Sequence, residues 1–538
     1  MTVYVPEEFT AEEADVLRRY FTNLDGPVFA LVNLPEVVKG ALFARYSRSP
    51  KSLRRLFLDE FVGDLDIAGD QTVDATMGLA RAEQLYDKVF FEYGDDSVAQ
   101  LGGVHLACEQ ASNLLTKILE WGRLMSYLEQ STRYIAYDAR LGGRYRFYRD
   151  PAILTSHLGT RYVGDMDRMF DAYSAAADLV TQYVRATIPR DPADSDFVWR
   201  QATRAKALDA VRGMLPAASL SNVGIYGSGQ AFEALLLRMR SHPLPEAQHY
   251  AGLMLHELRK VIPSFLKRVD LADRGGAWSD YLAATRNDTA AVVERLFGTD
   301  ETGDSGDGDG DEVTLVDFDP DAEDKLLAAI CYPHTTLPER VVLERVRALG
   351  VEDRIALIKA YVGERTNRRH KPGRAFERTG YRFDVLSDYG AFRDLQRHRM
   401  LTIEWQRLTT AHGYVRPELV DAADAAGMFD ETMTRSARLY DDLRAAGFVE
   451  QAPYAVSMAY RLRYVMQFNA REAIHLLELR SSPQGHPSYR RVALAMHRLI
   501  AEQAGHRAIA AAMTHLTTEA PELERLASER QAEARRLP

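Results

Sequence analysis

Two stretches, Arg397-His398-Arg399 and Arg123-Leu-Met-Ser126-Tyr-Leu-Glu129-Gln-Ser131-Thr-Arg133-Tyr134, decide how this chain is read. The first places three cationic or titratable side chains in a row, directly after Phe392-Arg393-Asp394-Leu395-Gln396. Such a block suits anions, because guanidinium forks match phosphate oxygens two at a time. The second sets polar residues among apolar ones. Each has a plain structural reading when taken alone. Arg123 and Arg133 on a helix would pair with Glu120 and Glu129 at the surface. Arg397-His398-Arg399 would be a solvated basic turn, and Ser131 a cap or a back-bonded helix serine.

Working outward, 538 residues are too many for one ordinary core, so two or more domains are expected. A hydrophobic share of 46% with 27% charged residues describes a folded chain in water, not a disordered or fibrous one. No apolar run reaches the roughly 18 residues of a membrane span. The opening Met1-Thr-Val-Tyr-Val-Pro-Glu-Glu lacks the regions of a signal peptide. With only Cys108 and Cys331, far apart, no disulfide framework is expected, and a reducing cytoplasm fits. The net charge of −10 is concentrated: Asp300, Glu301, Asp304, Asp307, Asp309, Asp311 and Glu312 fall within Gly298–Glu312, where no basic residue occurs. The rest is nearly balanced and shows no excess suited to nucleic acid. Asp307-Gly-Asp309-Gly-Asp311 is a faint calcium-loop pattern, but Glu312 stands where that loop needs glycine, so no metal is expected. The segment reads as a solvated linker, 298–312, between domains at 1–297 and 313–538.

Both sides read as mainly helical. Thr10-Ala-Glu-Glu13 is a capping-box start with Val16, Tyr20 and Phe21 at helical spacing. Further helices are expected over 75–92, 97–129, 161–187, 231–240, 245–261, 338–348, 353–360, 419–446, 454–480 and 487–514, with a capped tail over 522–536. Half-buried strands are expected at Arg144–Tyr148 and Tyr381–Leu386. The fold class is helix-rich α+β, without a dinucleotide-binding or Walker loop; Gly227-Ser-Gly229 is too short a match. Ala234-Leu-Leu-Leu-Arg-Met-Arg240-Ser-His-Pro243 compares with His475-Leu-Leu-Glu-Leu-Arg480-Ser-Ser-Pro483, each after its half's central motif, which points to an internal duplication.

The two opening stretches together resemble one signature, RHRxxSxNExSxRY, of the flavin-dependent thymidylate synthases. In the first half Arg123, Ser126, Glu129, Ser131, Arg133 and Tyr134 match it, while Trp121, Gly122 and Leu128 depart. In the second, Arg397, His398 and Arg399 match and Thr402 replaces serine; Glu404, Trp405, Arg407 and Thr409-Thr410 depart. The family's glutamine three residues before the motif is Asp394 here. Val211-Arg212-Gly-Met-Leu215-Pro216 resembles a family segment whose arginine meets the nucleotide phosphate; the other half has Ala452-Pro453 there. Asn469-Ala-Arg471 resembles the flavin-contacting pair, Glu377 a flavin-site glutamate, and Arg480, with Arg240 or Arg238, a third family arginine.

The resemblance implies two tandem thymidylate synthase-like domains forming a pseudo-dimer, with two chains making the family's four-subunit shape. It implies FAD as cofactor, NADPH and methylenetetrahydrofolate as co-substrates, and uridylate as the nucleotide methylated. Glu377, Arg397, His398, Arg399, Asn469 and Arg471 would then bind the flavin. Arg123, Glu129, Ser131, Arg133, Arg212, Arg240 and Arg480 would bind the substrate, with Arg397, His398 and Ser131 catalytic. Cys108 and Cys331 form no Cys-His arrangement suggesting an activated nucleophile, which is compatible with a flavin route. The lost motif positions keep two alternatives open: a non-catalytic nucleotide- or flavin-binding paralogue, and a flavoenzyme acting on another pyrimidine nucleotide.

Overall fold

The computed structural model describes residues 4–62, 100, 102–298, 311–519 and 521–534. Two compact units divide the chain. One comprises Met1–Ser174, Met214–Thr302 and Glu431–Ser457; the other comprises Ala175–Gly213, Gly303–Asp430 and Met458–Pro538. Each unit therefore takes a segment from the opposite side of the acidic stretch.

Each unit is built on a four-stranded antiparallel sheet. The first holds β1 (Val28–Leu31), β2 (Gly103–Ser112), β3 (Met125–Glu129) and β4 (Leu220–Ser228), in the order β1-β2-β4-β3. The second holds β5 (Val313–Phe318), β6 (Gly380–Asp388), β7 (Leu401–Trp405) and β8 (Arg461–Asn469), in the order β5-β6-β8-β7. The identical order is the structural form of the duplication. In β8, Leu462, Tyr464, Met466 and Phe468 alternate inward with period two, as a half-buried strand requires. In both units the second strand passes straight into a short helix, Asn113–Leu119 after Ser112 and Tyr389–Leu395 after Asp388. The fourth passes into a longer one, Gly229–Arg240 after Ser228 and Ala470–Arg480 after Asn469. All four residues before these helices accept a backbone N–H from the first turn, so the caps fix where strand becomes helix.

The capping box at Thr10 is present, as are helices at Gly159–Thr187, Gly229–Arg240, Pro245–Leu258, Glu339–Arg347 and Val351–Val362. Several expectations are corrected. The described part of 97–129 is β2, a seven-residue helix and β3, not one helix. β2 lies inside its sheet and is buried on both faces, which hides the period of two. The stretch 454–480 is β8 followed by a helix, 419–446 is the two helices Glu418–Ala422 and Ala426–Ala445, and 487–514 is Pro487–Glu502 and Arg507–Ala511. Arg144–Tyr148 forms no strand; it contributes only single bridges, Leu141 to Arg144 and Phe147 to Ser219. Tyr381–Leu386 lies within β6. The tail helix is Leu526–Ala534. The helix expected at 75–92 and residues 299–310 of the acidic stretch lie outside the described residues. Among the described residues no helix is long and apolar enough to cross a membrane.

In the first unit a buried carboxyl ties distant segments together. Glu246, fully enclosed, accepts the Ser112 N–H at 2.8 Å and hydroxyls from Ser112 at 2.5 Å and Tyr454 at 2.7 Å. Burial raises its pKa from 4.5 to about 7, against those hydrogen bonds. The folded protein thus holds a proton that the unfolded chain releases near pH 4.5. Its contribution is full below that pH and is lost as the pH rises to about 7, about 3 kcal/mol in all. Glu246→Gln should flatten the fall in urea midpoint between pH 5 and pH 7.5. Equal slopes in the two proteins would show that Glu246 is ionised throughout.

Candidate functional site

The second unit gathers most of the charged residues singled out above. Asp388 ends β6 and accepts the Ala391 N–H at 2.9 Å, starting the helix Tyr389–Leu395. That helix carries Asp394 and runs out at Arg397-His398-Arg399, in the turn before β7. Asn469 ends β8 and accepts the Glu472 N–H at 2.9 Å, starting the helix Ala470–Arg480, which carries Glu472, His475 and Arg480.

His398 is buried between the two helices. Its Nε2 accepts the Arg480 Nε–H at 3.0 Å, so its proton sits on Nδ1, which donates to Glu472 Oε1 at 2.8 Å. The His475 ring nitrogen Nδ1 lies 3.2 Å from the other Glu472 oxygen. Burial holds the His398 pKa down at about 4, opposed by Glu472, so the ring is neutral at pH 7. Glu472 goes the other way: burial alone would raise it, but hydrogen bonds from His398 and His475 outweigh that and bring it to about 2. By donor type His398, Glu472 and His475 could hold a cation, their ligand atoms lying within 4.8 Å of one another. The Nδ1 proton and the neighbouring guanidinium oppose this, so the arrangement is a hydrogen-bonded chain that fixes Arg480. Arg480 also lies over the Tyr489 ring, 5.3 Å from its centroid.

Asp394 is where the arginines meet. Its Oδ2 accepts from Arg212 Nη1 at 3.4 Å, and its Oδ1 lies 3.8 Å from both Arg397 Nη1 and Arg480 Nη1. Arg212 follows the helix Asp196–Val211 and so comes from the other side of the acidic stretch. It is 3% exposed, and its Nη2 is buried without a hydrogen-bond partner. Beside it lies Gly390, where a Cβ would stand 2.9 Å from Asp388 Oδ1 and 3.2 Å from that nitrogen and so would crowd both. Arg212 and Gly390 line a cavity of about 420 Å³ in this unit, with Lys206, Asp388, His486 and Arg491. Glu377 is engaged by Arg374 at 3.0 Å and by Arg471 at 3.1 Å, while Arg471 Nε donates to the Pro372 carbonyl. Arg399 is exposed. Asn469 is the helix cap.

The remaining predicted residues, Arg123, Glu129, Ser131, Arg133 and Arg240, all lie in the first unit. Arg123 is exposed in the turn before β3 and so is not on a helix. Glu129 is buried and accepts from Lys117 Nζ at 3.1 Å; Glu120 shares the same lysine. Ser131 Oγ accepts the Arg133 N–H at 3.3 Å, and Arg133 is buried. Aligned on the caps Ser112 and Asp388, Ile118 stands where Asp394 does, Trp121 where Arg397 does and Gly122 where His398 does. Aligned on Ser228 and Asn469, Ala231, Ala234 and Met239 stand where Glu472, His475 and Arg480 do, and Arg240 lies one residue on. The chain from Arg480 through His398 to Glu472 therefore has no counterpart at these positions of the first unit. Glu472 and His475 stand outside the signature read from the sequence. The signal for them is their spacing from a helix cap, which puts both one turn apart beside Arg480.

Comparison with known proteins finds one family model twice along the chain. The family model described as thymidylate synthase complementing protein matches residues 44–264 and again 314–505. A UPF0159 protein of Chlamydia muridarum is 39% identical over 493 residues, 91% of this chain and 92% of its own length. A UPF0159 protein of Thermoplasma acidophilum is 30% identical over 485 residues, 85% of this chain and 91% of its own. The crystal structure of a UMP/dUMP methylase, PolB from Streptomyces cacaoi, bound with 5-Br dUMP, is 20% identical and covers 37% of this chain and 94% of that one. Its TM-score of 0.29 is too low for anything to be transferred from it. With two matched regions spanning most of its length, the chain belongs to the thymidylate synthase complementing protein family, as a tandem-duplicated member.

Proposed function

We propose that this protein is a flavin-dependent thymidylate synthase-type enzyme that methylates the uracil ring of deoxyuridylate, with methylenetetrahydrofolate as carbon donor and NADPH as reductant. The observation that carries the reading is the meeting of Arg212 with Asp394, Arg397 and Arg480 beside a cavity of about 420 Å³. The unpartnered, buried Nη2 of Arg212 is a donor suited to a phosphate oxygen. Arg480, held by neutral His398, supplies a second guanidinium whose direction is fixed. FAD would be held by Arg397, Arg399, Asn469 and Arg471 with Glu377, and half-buried Arg397 beside exposed Arg399 fits its pyrophosphate. When bound, FAD supplies the redox chemistry, leaving orientation and charge to the protein. Arg123, Glu129, Ser131, Arg133 and Arg240 are read as further substrate-side residues, with 1–297 and 313–538 as the duplicated domains and two chains as the assembly.

The purified protein should be yellow and should release tritium from ring-labelled deoxyuridylate when given folate and NADPH. A colourless preparation that added FAD cannot reconstitute would sink the proposal. Absence of turnover with retained nucleotide binding would favour a non-catalytic paralogue, and turnover of cytidylate but not uridylate would move the reading to another pyrimidine.

Side-chain removal should sort the two ligands. Arg212→Ala and Arg133→Ala should each weaken deoxyuridylate binding by about 1.5–3 kcal/mol, the size of a charge-assisted hydrogen bond, and leave flavin content unchanged. Arg397→Ala and Arg471→Ala should lower flavin occupancy instead. Normal binding of both ligands by Arg133→Ala and Arg397→Ala would remove these residues from the site.

Because burial holds the His398 pKa at about 4, its charge is constant between pH 5 and pH 8. A neutral ring that positions Arg480 should thus be missed by His398→Ala as lost turnover with no shift in the pH profile over that range. Disappearance of a pH step near 6.5 in that variant would instead make His398 a titrating acid or base.

A further inference from the structure

Three guanidinium groups converge on one carboxylate in the second unit, and one of the three, Arg212, also lines the cavity of about 420 Å³. Asp394 offers Oδ2 to Arg212 and Oδ1 to Arg397 and Arg480, at 3.4, 3.8 and 3.8 Å. The side chains of Arg212, Asp394 and Arg480 are 4%, 15% and 14% exposed, so water screens this group weakly. Two further acids face the group. Asp388 lines the same cavity and lies close enough to Arg212 for that guanidinium to oppose the upward pull of burial on its pKa. Glu472 is separated from Arg480 by neutral His398. Arg212 keeps one buried nitrogen free, beside Gly390. The site can therefore admit an anion's oxygen without expelling Asp394, but the anion must approach a fixed negative charge.

We infer that Asp394 determines which phosphate ester the site accepts: its carboxylate limits the ligand to a phosphate monoester and rejects the di- and triphosphates of the same nucleoside. The inference rests on the proposal that this site takes a pyrimidine nucleotide. The repulsion from Asp394 scales with the charge of the ligand, so it weighs most on the triphosphate and least on the monophosphate. A specificity built this way depends on the repulsive element as much as on the arginines that attract. An amide at the same position would still accept from Arg212 through its oxygen and would carry no charge.

The experiment is titration calorimetry of 2′-deoxyuridine mono-, di- and triphosphate into the full-length protein and its Asp394→Asn variant, with Asp394→Gln as the second variant if the first melts early. The natural protein should bind the monophosphate at least tenfold more tightly than the triphosphate. In the variant that ratio should fall at least tenfold, because triphosphate affinity rises more than monophosphate affinity. A purely structural role for Asp394 would weaken all three ligands alike and leave the ratio in place. A ratio unchanged within twofold, or natural protein that prefers the triphosphate, overturns the inference while the nucleotide-binding proposal stands. Natural protein that binds none of the three overturns both.

Discussion

Nine residue pairs join β6 to β8, from Gly380 opposite Asn469 to Asp388 opposite Arg461, and the candidate site hangs on this ladder. The strands are antiparallel, so the residues that leave them, Asp388 and Asn469, stand at opposite ends of the sheet. Each caps a helix. The two helices nevertheless bring their last turns together, with Asp394 from one near Arg480 from the other. Backbone carbonyls accumulate at helix C-termini, and Arg397 and Arg480 are of the sign those ends favour. A slip of one residue in the ladder would turn the inward row Tyr381, Phe383, Val385 to the other face, and it would displace both caps. The position of a charged cluster is thus set by a hydrophobic pattern.

The first unit shows the same scaffold with the cluster removed. Its caps, its strand order and its helices remain, but Ile118, Trp121, Gly122, Ala231, Ala234 and Met239 stand at the positions that matter. Near its β3 the buried Lys117 is shared by Glu120 and Glu129. That lysine is held by two carboxylates, whereas Arg212 in the other unit has a buried nitrogen without a hydrogen-bond partner. A duplicated chain can place different polar chemistry on the same scaffold in its two copies.

Much of this was legible in the sequence, for physical reasons. The split signature carried the family, and the Leu-rich helices ending in proline carried the duplication. The α+β class followed from helical spacing at residues such as Val16 and Tyr20 beside the alternation of Tyr381–Leu386. What could not be read was whatever depends on pairing. β2 is buried on both faces, so its run looks the same as a buried helix. β8 does alternate, but its apolar residues run on into the next helix without a break in composition, and nothing in the sequence marks Asn469 as the cap between them. Nor does local sequence reveal that Asp394 would lie against Arg212, 182 residues away. Such a meeting is a property of topology.

The exchange of segments between the units has a consequence for how the chain emerges from the ribosome. Glu246 lies 208 residues before Tyr454, whose hydroxyl it accepts, and Glu431–Ser457 belongs to the first unit. The first unit is therefore incomplete until most of the polypeptide has been made. During synthesis its strands and helices can form, but the surface that later receives Glu431–Ser457 stays open for the time needed to add some two hundred residues, roughly ten seconds or more at ordinary elongation rates. Exposed apolar surface of that lifetime is what molecular chaperones bind, and a gene split at the acidic stretch would make it permanent until the two products meet.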